Sequence, residues 1–103
     1  MYAVIFEVTP HPERAHEYFD LAAELRPELE RIDGFISIER FQSLADPERY
    51  VSLSFWRDEA AIREWQAHLG HQTAQDKGKA GIFKDFRIRV ARVERDYTLA
   101  DRT

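Results

Sequence analysis

An α+β fold with the element order β-α-β-β-α-β is what this sequence predicts, and three features predict it. Four runs rich in β-branched and aromatic residues, Tyr2–Val8, Phe35–Phe41, Arg49–Trp56 and Phe83–Tyr97, have strand character. Two stretches between them repeat apolar residues at helical spacing. The middle two strands are joined by a short breaker-rich link, "SLADPE", as an antiparallel hairpin is.

The elements follow in order. Tyr2–Val8 is apolar on both faces, with Tyr2, Val4, Phe6 and Val8 on one and Ala3 and Ile5 on the other. "TPHPER" breaks the strand and places Pro12 near the first position of a helix, with Glu13 in its first turn. Ala15, Tyr18, Phe19, Ala22, Leu25, Leu29 and Ile32 then follow one helix face. Pro27 is expected to kink that helix or split off its last turn, and Asp33–Gly34 ends it. In the third strand Val51, Leu53 and Phe55 share one face and Tyr50, Ser52, Ser54 and Trp56 the other. Asp58 is the natural N-cap of a second helix that buries Ala61, Ile62 and Trp65 and ends or bends at Gly70. In the last strand the inward set Phe86, Ile88, Val90 changes phase to Ala91, Val93, which predicts a β-bulge near Val90–Ala91. Right-handed crossovers of this order give a ferredoxin-like βαββαβ sandwich. Two helices cover only one face of such a sheet, yet several strands are apolar on both. A bare apolar sheet face exceeds what a soluble monomer shows, so a homodimer joined through the sheet face is expected.

At 103 residues the chain is expected to be a single domain, 1–103. Apolar residues at 44% and charged residues at 33% describe an ordinary globular composition. A net charge of −4 argues against a nucleic-acid binder, which needs a basic surface to neutralise phosphate. The absence of cysteine removes disulfides and thiolate metal sites. The N-terminal run has no basic leader, and no stretch approaches membrane-spanning length, so neither secretion nor a membrane is expected and the expected location is cytoplasmic. Arg87, Arg89, Arg92 and Arg95 are interleaved with Asp85, Glu94 and Asp96, so they read as cross-strand ion pairs, with Glu7 and Glu39 as partners, rather than as a phosphate-binding stripe.

The densest chemistry lies in "EWQAHLGHQTAQ", Glu64–Gln75. On continuous helical geometry Trp65, His68, His71, Gln72 and Gln75 span an arc of roughly 120° and face one pocket. The competing reading makes the histidines surface or C-capping groups and Trp65 a core residue. His68-x-x-His71 has metal-ligand spacing but no third ligand nearby, so no metal site is expected. His11 and His16 flank the first helix and read as solvated.

"SLSFW", "RDEAAIREW", the "H..H..AQ..G" segment and "DFRIRVARVERDY", preceded by "GFISIERFQSL", resemble the antibiotic biosynthesis monooxygenase superfamily, and within it the branch grouped with haem-degrading monooxygenase-like proteins. The resemblance covers nearly the whole chain. It implies a dimeric α+β barrel with a pocket between helices and sheet in each protomer. It also implies cofactor-independent oxygenation by dioxygen of a small aromatic or quinol-type substrate, with His68 or His71 as base and Trp65, Gln72 and Gln75 as substrate-binding residues. An electron-rich aromatic anion reduces dioxygen itself once it is bound, deprotonated and shielded from water, and histidine is the obvious base. Haem-degrading members pair an asparagine on the first strand with a tryptophan on the second helix and a haem-ligating histidine ten residues later. Trp65 matches, but Gln75 stands at the histidine position and Glu7 near the asparagine. Haem as substrate or ligand is therefore the second expectation, and a non-catalytic small-molecule-binding dimer the third.

Overall fold

The computed structural model describes residues 1–75 and 81–102, apart from the side chains of residues 70–75 and 102. The elements are β1 (Tyr2–Pro10), a 3-10 turn (Pro12–Arg14), α1 (Ala15–Glu30), β2 (Phe35–Gln42), β3 (Tyr50–Trp56), α2 (Glu59–Gln75) and β4 (Phe83–Arg92). The sheet is antiparallel with strand order β2-β3-β1-β4, so the fold is the ferredoxin-like βαββαβ arrangement. No helix among the described residues is long and apolar enough to cross a membrane.

Register decides what each face presents. Tyr2, Val4, Phe6 and Val8 of β1 pair with Trp56, Ser54, Ser52 and Tyr50 of β3, and these residues face the helices. Ala3, Ile5 and Glu7 pair with Phe55, Leu53 and Val51 and face the open side. Burial is concentrated in two clusters beneath the helices. One holds Leu29, Trp56, Ala61 and Ile62; the other holds Val8, Tyr18 and Ile82.

Several expectations change. α1 runs unbroken to Glu30 with Pro27 inside it. The hydrogen bond that Pro27 cannot make frees the carbonyl of Ala23, an exposed residue whose carbonyl water can satisfy. α2 likewise runs through Gly70 to Gln75 instead of ending there. The last strand stops at Arg92, five residues before Tyr97, because its partner runs out: Arg92 pairs with Tyr2, and Val93 N–H makes one more bond to Met1 O at 2.9 Å. There is no bulge at Val90–Ala91. Register is continuous from Val8↔Phe86 to Tyr2↔Arg92, and the irregularity lies at the other end, where Thr9 pairs with Asp85 and Pro10 with Phe83. Ala91 simply belongs to the open face, opposite Ala3. Phe86, Ile88 and Val90 lie on the helix side but stay exposed, since β4 is an edge strand and the buried clusters recruit Phe83 but no later β4 residue.

The turn after α1 is tightly specified. Gly34 has φ +98°, a conformation open to glycine, and a Cβ there would meet Ala61 Cβ at 2.9 Å. Its carbonyl accepts from Arg57 N–H at 2.7 Å, which ties the start of β2 to the end of β3. Asp58 caps α2 as expected, its Oδ1 accepting from Ala61 N–H at 2.9 Å.

Candidate active site

The helices and the inner sheet face form a partly open cavity of about 190 Å³. α1 lines it with Tyr18, Leu21, Ala22, Leu25 and Leu29, each three or four residues from another of the set, so that one stripe of the helix faces inward. α2 adds Trp65 and Leu69, one turn apart. The floor is Phe6 from β1, Ile38 and Arg40 from β2, Ser52 from β3 and Phe83 at the start of β4. Aromatic edges close one end: the Phe83 ring centroid lies 5.9 Å from that of Tyr18 and 6.0 Å from that of Phe6, both in edge-to-face contact.

The walls are largely apolar, with a few polar groups turned in. Ser52 is buried, and Arg40 Nε donates to the Tyr18 hydroxyl at 3.3 Å with its guanidinium carbon 5.8 Å from the Tyr18 ring centroid. Arg26 sits at the rim and bonds Glu30 at 2.8 Å. An apolar slot with few placed polar groups is the common form of a small-molecule site.

Trp65, for which the sequence left pocket and core both open, borders the cavity and also packs against the Leu29, Trp56, Ala61 and Ile62 cluster. His68 is not part of the lining. Its ring stacks on Trp65, centroids 5.4 Å apart and planes 23° apart, and its Nε2–H donates to Glu28 Oε2 at 3.2 Å. The pair ties α2 to α1 directly behind the tryptophan. The side chains of His71, Gln72 and Gln75 lie outside the described residues. Tyr50, Ser52 and Ser54 share the helix face of β3, and Ser52 alone of them reaches the cavity. Tyr18 and Arg40 were missed as polar site residues.

Among the described residues no three His, Cys, Asp or Glu side chains converge as a metal site. The described lining offers no imidazole to an iron, so these residues do not form the histidine ligand set of a haem site. The cross-strand reading of the arginines holds at Arg89, which binds Glu7 at 2.9 Å on the open face.

A slot of this kind between two helices and a ferredoxin-like sheet agrees with the family model described as antibiotic biosynthesis monooxygenase, which matches residues 1–77. The chain belongs to the antibiotic biosynthesis monooxygenase family. Its sequence is 46% identical over 93 residues to a jasmonate monooxygenase of Pyricularia oryzae, a match that spans 90% of this family member and 43% of that protein. The chain thus corresponds to less than half of that relative's length. Among solved structures it is similar to a Deinococcus radiodurans protein assigned to the same family, with TM-score 0.79, 17% identity and coverage of 96% of this chain and 98% of the other. A variant of the cofactor-independent oxygenase SnoaB from Streptomyces nogalater superposes with TM-score 0.73 at 19% identity, covering 92% of this chain and 94% of that one. At these identities the structural matches establish the fold.

Proposed function

We propose that this protein is a monooxygenase that binds a small aromatic or quinol-type metabolite in the cavity and inserts one atom of dioxygen without a bound cofactor, working as a homodimer. The observation that carries the reading is the slot itself: a largely apolar, partly open cleft edged by Phe6, Tyr18, Phe83 and Trp65 suits a flat, electron-rich substrate, which on binding displaces water from the walls. Membership of a monooxygenase family and the jasmonate monooxygenase relative support the same reading. The chemistry balances with dioxygen alone. A substrate carbon loses a proton, the carbanion reduces O₂ and takes up one oxygen atom, and the other oxygen leaves as water with two substrate hydrogens.

The protein's part is to hold the substrate, accept the first proton and exclude water. Of the two candidate bases, His71 is the proposed one; His68, held by Glu28 at 3.2 Å against Trp65 and outside the cavity lining, is proposed to position that ring. Trp65 is the proposed wall for the substrate ring, with Gln72 and Gln75 as further substrate contacts.

The test is oxygen uptake and ¹⁸O₂ incorporation with a panel of anthrones, quinols and jasmonate. The expected product carries one labelled oxygen. Trp65→Ala is expected to lower turnover by about tenfold or more, since misplacing a substrate wall costs orientation, and His68→Ala and His71→Ala separate the base from its neighbour. Binding across the panel with no labelled product would replace this reading with the non-catalytic binding module.

A further inference from the structure

Two arginines line the cavity, and they differ. Arg26 at the rim is neutralised by Glu30, its Nε 2.8 Å from the carboxylate. Arg40 has no acidic partner among the described residues. It stands on β2 directly across from Ser52, half-buried, in a cavity lined mostly by apolar and aromatic side chains. Among the described residues its side chain makes one hydrogen bond, from Nε to the Tyr18 hydroxyl at 3.3 Å. A guanidinium carries five N–H donors arranged as a fork that matches a carboxylate, and among the described residues most of this one's donors have no protein partner. The lining residues include no Asp or Glu. A cation placed against apolar walls loses part of its hydration, and an anion inside the same space compensates that loss best.

We propose that the cavity selects an apolar anion: the ligand bears a carboxylate that Arg40 holds beside the Tyr18 hydroxyl, with its hydrocarbon body against Leu25 and Trp65. This rests on the reading of the cavity as the substrate site and narrows the substrate to an acid. Arg40 then serves as the specificity-determining anchor. It fixes which end of the substrate enters first and therefore which carbon lies towards α2 and Trp65.

Naphthaleneacetate and naphthaleneacetamide test this, since they share a ring and differ in charge. Calorimetric titration of the wild-type protein should show the acid binding at least about tenfold tighter than the amide, the scale of a charge-assisted hydrogen bond. Arg40→Met should abolish that preference and Arg40→Lys retain part of it, with thermal melts confirming that both variants fold. Trp65→Ala should weaken both probes alike. Equal binding of acid and amide, or a preference that survives in Arg40→Met, overturns the proposal and leaves Arg40 as a brace for Tyr18. Failure of both probes to bind overturns it too, and the oxygen-incorporation assay then judges the oxygenase reading separately. A charge preference without any oxygen incorporation upholds the anchor and removes the oxygenase.

Discussion

Trp56 and Ser54 sit two residues apart on the helix face of β3, both buried, and the indole Nε1–H donates to Ser54 Oγ at 2.9 Å. Replacing Ser54 by Ala strands that N–H away from water, and the expected loss in urea unfolding is about 1–3 kcal/mol. In a Trp56→Phe background the same replacement should cost clearly less, because no donor remains to be stranded. Equal costs in both backgrounds would show that the bond contributes nothing. The placement of this serine was half legible: alternation put it on one face with Tyr50, Ser52 and Trp56, but not which side the helices take. Arg40 was illegible for a sharper reason. Phe35 faces the helices, the register shifts between Phe35 and Ser37, and after that shift Ile38 and Arg40 face inward. Strict counting by twos from Phe35 puts Arg40 outside. A single extra residue therefore hid the cation from any argument based on strand period.

Helix α2 is the element on which the candidate site depends, and its first turn is where solution conditions reach it. The Ala61 N–H, and after it the Arg57 guanidinium, hold the Asp58 carboxyl below the ordinary aspartate range. A carboxyl lowered on folding stabilises the native state above its unfolded value, near 3.9, and that stabilisation fades as pH falls through the folded value. Asp58→Ala should therefore lower Tm by a few degrees at neutral pH, and the gap to wild type should narrow steadily in melts below about pH 4. A gap independent of pH would mean that the cap acts without its charge. This N-cap was plain in "WRDEAAI", as were the two helices and the hairpin, because each rests on local chemistry. The end of β4 was not, since it depends on where β1 begins to offer partners. The continuity of α2 through Gly70 was hidden in the same way, since propensity is a weak prior that tertiary context overrides.

For the whole molecule, the unpaired feature is the open sheet face. Ile5, Val51, Leu53 and Phe55 form its centre, with Phe41 exposed on β2 and the Arg89–Glu7 pair towards β4. In the proposed homodimer a second copy seated there would account for the two-sided apolar strands that the sequence displays. Sedimentation at micromolar concentration should give a dimer for the wild-type chain and a monomer for Leu53→Glu, which sets a charge in the centre of the seam. A wild-type monomer would overturn the homodimer while leaving the cavity untouched, because the cavity lies on the other side of the sheet.

The division of the buried residues into two clusters has a thermodynamic consequence. Leu29 of one cluster and Tyr18 of the other both border the cavity, so the space lies where a larger protein would have continuous packing. A bound molecule is then the missing piece of interior, and filling the space is itself a folding contribution. A ligand at a hundred times its Kd adds about 2.7 kcal/mol to the native state, which for a chain of 103 residues is a rise in melting temperature of about ten degrees or more. Heat alone can therefore rank candidate substrates before any reaction is known, and the compound that raises the melting point furthest is the one whose shape completes the protein.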